Sequence, residues 1–196
     1  ISVDTYKPAI MQRALDMGVD IINDVWALRW RAADGLNAEH VVATHPNCGV
    51  CLMHMNGEPA TMHISPMEGE AVAPVVAFLA QRAQALRDQG VASSRVVLDP
   101  GIGFGKTVAQ NFSLVTGQRV LLELGYPVLA GWSRKSSLGA VTGREVGSRT
   151  YASVAAACLA MQHGAQVLRV HDVTATKDAV AVYQAVVAGV DLAAGD

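Results

Sequence analysis

The stretch DPGIGFGK, residues 99–106, holds a carboxylate, three glycines, an aromatic ring and a lysine. It approaches the phosphate-binding pattern G-x-x-x-x-G-K-[ST], with Gly105, Lys106 and Thr107 as the second half. Pro100 stands where the first glycine is needed and removes an N–H. A leading carboxylate is also a poor neighbour for phosphate. Two readings of Asp99 stay open: a ligand group at a strand mouth, or a cap for the amides of a tight turn. The glycines let backbone come close to a ligand, and Phe104 suits a flat one.

Two more stretches carry cations. In GWSRKSSLG (131–139), Ser133 and Lys135 share a face if the strand continues that far, and Arg134 points elsewhere. A short helix follows, and its N-terminus suits an anion. In VLRVHD (167–172), Arg169 and His171 are spaced to face inward together and grip phosphate. The competing arrangement is an Arg169–Asp172 ion pair beside a structural histidine. SVDT and IIND add Asp4 and Asn23, expected as buried hydrogen-bonding groups at neighbouring strand mouths or as helix caps. Met53 lies near another strand end, where core filling competes with packing on a ring. His40, His45, His54 and His63 lack a spacing that would assemble a metal site. Together the groups suit a polar, N–H-rich heterocycle that carries a phosphate or diphosphate.

These residues sit at the ends of short β-rich runs: 1–4, 19–24, 49–54, 95–99, 127–131 and 166–171. Helical periodicity fills the intervals at 7–18, 70–90, 148–164 and 174–189, the last with a threonine as candidate cap. Apolar strands alternating with helices indicate a buried parallel sheet. An open sheet gathers ligand contacts at one switch point, whereas a barrel collects them from many strand ends. Six furnished ends therefore favour a (β/α)8 TIM barrel, with a six-stranded open α/β fold as the alternative. Six strands are two short of eight, and the chain begins inside a strand. We therefore expect a single barrel domain over 1–196 that lacks two βα units on its N-terminal side.

The chain has 196 residues, of which 51% are apolar and 16% charged, with a net charge of −2. That balance argues against a nucleic-acid partner, and no apolar run is long enough to span a bilayer. Cys48 and Cys51 form a C-x-x-C without the further ligands that zinc requires. With Cys158, they read as small reduced thiols in a cytoplasmic protein.

ISVDTYKP, IINDVWAL, VCLMHMNGEPATM, VVLDPGIGFGKT, GWSRKSSLG and VLRVHDV, in that order, resemble the dihydropteroate synthase family of pterin-binding TIM barrels. The resemblance covers nearly the whole chain. It implies a transferase of folate biosynthesis that joins 6-hydroxymethyl-7,8-dihydropterin diphosphate to p-aminobenzoate, releases pyrophosphate and is the target of sulfonamides. It assigns catalysis to Asp4, Asp99 and Lys135. Asp4, Asn23, Asp99 and Lys135 would hold the pterin edge, Val25 and Met53 would pack on the ring, and Phe104 would lie between the two subsites. Asn23, Arg169 and His171 would bind the diphosphate. Ser133, with Phe104 and Lys135, would meet p-aminobenzoate. Mg²⁺ is the implied cofactor, and its asparagine ligand belongs to a first strand absent here, so this chain alone is expected to lack it. A second absent strand would carry a threonine and an arginine near the substrates. Ile102 departs mildly from the phenylalanine common in the family. A homodimer through the last helices is implied. The alternatives are a pterin-binding paralogue without turnover and a corrinoid methyltransferase that uses methyltetrahydrofolate. SRKS and RVHD argue against the latter.

Overall fold

The computed structural model describes residues 1–33, 35–62 and 64–189; His63 lies outside them. The β-rich runs form strands β1 (Ser2–Asp4), β2 (Ile21–Asp24), β3 (Gly49–Met53), β4 (Val96–Asp99), β5 (Leu129–Ala130) and β6 (Val167–Leu168). Every pairing is parallel: β1 with β2, β2 with β3, β3 with β4, and β5 with β6. A bridge between Leu98 and Val128, with the Leu98 N–H donating to the Pro127 carbonyl at 2.9 Å, joins β4 to β5. The strands therefore follow one another in chain order, as in a barrel. Among the described residues, β1 and β6 each pair on one side only. Arg169 Nη1 lies 3.4 Å from Asp4 Oδ2, so the two ends of the arc meet at the mouth.

The intervening helices are α1 (Pro8–Asp16), α2 (Ala38–Thr44), α3 (Val72–Asp88), α4 (Val108–Thr116), α5 (Gln118–Leu122), α6 (Ser136–Thr142), α7 (Thr150–Gln162) and α8 (Val173–Ala188). Pro8 opens α1, where a missing N–H costs nothing. Thr107 and Gln110 form a reciprocal capping box on α4. The core is one cluster in which Ile22, Val50, Leu52, Val96 and Leu98 of the sheet join Val75, Leu79 and Leu86 of α3. Each such side chain contributes about 1.5–3 kcal/mol on burial. No helix among the described residues is long and apolar enough to cross a membrane. Cys48 and Cys51 are free buried thiols, as expected.

Three expectations are corrected. β5 and β6 are two residues long, so Ser133, Lys135, Arg169 and His171 lie in the loops that follow. α8 begins at Val173, and its N-cap position falls on Asp172 rather than a threonine. The Asp172 side chain is committed to Arg134 instead of capping. α2, α4 and α5 fall outside the expected helical intervals, although Asn37 caps α2 through the Glu39 N–H at 2.9 Å and Thr107 caps α4.

Asp24 is fully buried and shapes the turn after β2. Its carboxylate accepts the Trp26 N–H at 2.9 Å and the Leu28 N–H at 2.8 Å. Those bonds hold Ala27 and Leu28 in the left-handed region, at φ 51° and 62°, which costs about 1–2 kcal/mol per residue. Burial pushes the Asp24 carboxyl up to about 6 from 3.8, against the pull of the two amides. The folded chain then keeps this proton at a pH where the unfolded chain has released it, so stability falls as pH rises through that window. At about 1.4 kcal/mol per pH unit, the loss is about 3 kcal/mol. In urea denaturation between about pH 4 and pH 6.5, Asp24→Asn should lack this decline. Parallel pH profiles for the two proteins would refute the assignment.

Candidate active site

The strand ends open into one cavity of about 500 Å³, bordered by Asp99, Phe104, Ser133, Lys135, Arg169 and His171, with Ile102, Arg134 and Val146. Asp99 ends β4 and is buried. Its Oδ1 accepts the Gly101 N–H at 2.7 Å, so it caps the turn while it also borders the cavity. Burial raises its proton affinity, while the Gly101 amide, Lys135, Arg169 and Lys106 oppose that rise. After that bond the chain turns back at Gly101, which adopts a positive φ. Lys135 is half-buried, and its Nζ lies 4.3 Å from the centre of the Phe104 ring. Burial lowers its proton affinity, with Asp99 opposing and Arg169 reinforcing.

Ser133 and Lys135 come together by a route that strand spacing did not foresee. Arg134 between them adopts φ 60°, a left-handed conformation. Ser153 Oγ accepts its N–H at 3.0 Å, and the Arg149 guanidinium donates to its carbonyl at 3.0 Å. The Arg134 guanidinium grips Asp172 through two bonds, 2.9 and 3.3 Å. Asp172 thus belongs to Arg134 and not to Arg169, and Arg134 borders the cavity it was expected to avoid. Ser133 Oγ accepts the His171 N–H at 3.1 Å and lies 2.9 Å from His171 Nδ1. That leaves Nε2 of His171 for a ligand.

Asp4 and Asn23 do not border the cavity; Asp4 reaches it only through Arg169, 3.4 Å away. They are register partners on β1 and β2, and the Asn23 amide donates to Asp4 Oδ1 at 2.8 Å. Asn23 is buried, and its Oδ1 has no partner among the described residues. An N–H-bearing ligand edge would supply the missing donor. Asp4 is not buried as expected: its side chain is 58% exposed, and β1 pairs on one side only among the described residues. Neither residue caps a helix. Met53 and Val25 do not border the cavity. Met53 is fully buried against Gly101, in register with Asp99, and Val25 is half-buried after β2. Cys51, also in the interior, has its thiol pushed up by burial and by Asp99.

The sequence reading passed over Asn111 and Lys106 as site-builders. Asn111 Oδ1 accepts the Gly103 N–H at 2.8 Å, and its amide donates to Ser137 Oγ at 3.0 Å, linking the glycine loop to α6. A polar residue at a buried helix position was the available signal. Among the described residues, no three His, Cys, Asp or Glu side chains gather to hold a metal.

A parallel α/β arc with ligand groups at successive strand ends has the architecture of a (β/α)8 barrel carrying its site on the C-terminal face. The model of the family described as "Pterin binding enzyme" matches residues 1–171, and the chain belongs to that family. It is 42% identical over 185 residues to dihydropteroate synthase of Haemophilus influenzae, an alignment covering 94% of this chain and 65% of that protein. It also resembles the Xanthomonas albilineans dihydropteroate synthase solved in complex with 7,8-dihydropteroate, at 47% identity and a TM-score of 0.86. That match covers 95% of this chain and 66% of the other. A Yersinia pestis dihydropteroate synthase solved with a sulfonamide drug complex matches at 34% identity and a TM-score of 0.89, again over 95% and 66%. The chain thus spans about 65% of the length of the curated relative.

Gly101 tests how tightly the site is built. A Cβ there would fall 1.8 Å from the His54 carbonyl oxygen. Gly101→Ala should destabilise the protein by at least about 2 kcal/mol, from left-handed strain and displacement of the loop. Urea denaturation measures it, and an unchanged midpoint would contradict the geometry.

Proposed function

We propose that this chain carries the substrate site of a dihydropteroate synthase, which joins 6-hydroxymethyl-7,8-dihydropterin diphosphate to p-aminobenzoate with release of pyrophosphate. The observation that carries the reading is the convergence of buried Asp99 with Lys135, Arg169 and His171 around one cavity. A carboxylate there meets the N–H groups of a heterocycle, while the cations meet its diphosphate.

Asp99, Asn23 and Lys135 hold the pterin edge, with Asp4 behind Asn23. Arg169 and His171 take the diphosphate, and Ser133 meets the carboxylate of p-aminobenzoate. Phe104 lies between the two. The bond from the pterin methylene to diphosphate oxygen breaks, and its electron pair leaves with pyrophosphate. The aromatic amine donates its lone pair to the methylene and loses one proton. The protein's part is to hold the reactants in line and to balance the leaving charge. Mg²⁺ accompanies diphosphate in the full reading. The open sides of β1 and β6 are where two further βα units would close the barrel. A homodimer is supported by exposed apolar side chains on α7 and α8, including Leu159, Val182 and Val186. Sulfonamide sensitivity and a cytoplasmic setting belong to the same proposal.

Calorimetric titration of 6-hydroxymethylpterin diphosphate tests this reading. The chain should bind, and Asp99→Asn should weaken binding by about thirtyfold or more, as expected for losing a charged hydrogen bond in a buried site. A folded chain that binds neither this compound nor 7,8-dihydropteroate would overturn it.

A further inference from the structure

The lysine of GFGK does not point outward to a phosphate. Lys106 is 9% exposed, and its Nζ turns back into its own loop. It donates to the Gly101 carbonyl at 2.9 Å, the Phe104 carbonyl at 3.0 Å and the His54 carbonyl at 3.3 Å. An ammonium has three donors, and here each has a backbone acceptor. Two acceptors lie in the loop between β4 and α4, and the third lies just past β3. Positive φ values at Gly101, Gly103 and Gly105 accompany this inward curl. The loop leaves no slack, since a Cβ on Gly105 would fall 2.3 Å from the Asn56 carbonyl oxygen.

We propose that Lys106 is a positioning residue: its ammonium ties the β4–α4 loop to the end of β3 and thereby sets where Asp99 and Phe104 stand relative to Lys135. This rests on the pterin reading for its consequence, but not for its geometry. The charged and titratable groups facing Lys106 are Asp99 from β4, Lys135 from the loop after β5 and His54 from the end of β3. Burial, then Lys106 and Arg29, hold the His54 imidazole down to about 3, so it faces the ammonium as a neutral ring. Burial lowers Lys106 to about 7, with Asp99 opposing and Lys135 reinforcing. Above that pH the neutral amine keeps two donors for three carbonyls.

The test compares the chain with Lys106→Met. Asp99 and Lys135 are present in both proteins and His54 stays a neutral ring over this range, so the ratio of their affinities for 6-hydroxymethylpterin diphosphate reads the loss of Lys106 together with its pull on those neighbours. The ratio should be about tenfold near pH 6, the worth of one charged hydrogen bond, and should shrink toward about threefold near pH 8.5. Equal affinities, or a ratio that stays constant with pH, would overturn the proposal, because a merely space-filling lysine has no such profile. Amide exchange in the ligand-free protein provides a second readout. Protection at Gly101 and Gly103 should fall above pH 7 beyond the intrinsic exchange trend, and should be lost in Lys106→Met. If neither protein binds the pterin, the function fails and exchange alone decides the clamp. If the variant does not fold, the pH series on the unaltered chain decides it. Protection that does not change with pH would overturn the clamp in either case.

Discussion

A carboxylate buried at the centre of the strand mouths governs the construction around it. Asp99 has been taken out of water, which costs several kcal/mol unless hydrogen bonds and opposite charge compensate. The compensation comes from the Gly101 amide and from Lys106, Lys135 and Arg169. Gly101, directly after Pro100, donates that amide and then turns the chain back with a positive φ. Placing Lys106 behind the loop requires carbonyls that face inward, which the following glycines permit. The spacing D-P-G-x-G-x-G-K is thus the outcome of one electrostatic requirement, met within eight residues. The same requirement explains why the motif resembles a phosphate loop without being one. A phosphate loop aims its amides at an anion outside it, whereas this loop aims one amide at its own carboxylate and its lysine at its own carbonyls.

The fold was legible because a parallel sheet buried on both faces leaves a simple trace: short apolar runs, each ended by a polar residue. The candidate site was legible for the same reason, since a polar group at the end of a buried strand needs a partner or a ligand. What the sequence did not reveal is how strand ends become loops. Strand periodicity grouped Ser133 with Lys135, and the structure brings them together through a left-handed Arg134 held by Ser153, Arg149 and Asp172. Those partners lie 15 to 38 residues away in sequence, beyond the reach of any local pattern. Asp4 was misjudged for a related reason: its burial depends on what lies beside β1, not on the residues around it.

Two arginines border the cavity, and their present partners separate their roles. Arg134 makes a two-bond contact with Asp172, and its own backbone is held in a costly conformation by two further residues. Withdrawing it would release the turn that carries Ser133 and Lys135. Arg169 meets Asp4 at 3.4 Å, with the two side chains 49% and 58% exposed. An exposed pair of that kind contributes about 0–1 kcal/mol. A diphosphate brings more charge than one carboxylate and can draw Arg169 away from Asp4 at little cost. On the proposed reading, Arg134 holds the turn and Arg169 is the cation that meets the diphosphate. Releasing Asp4 would also free it to face the same ligand beside Asn23, whose buried Oδ1 still lacks a donor. A bound heterocyclic diphosphate would thus engage both features, the weak ion pair and the unpartnered amide oxygen.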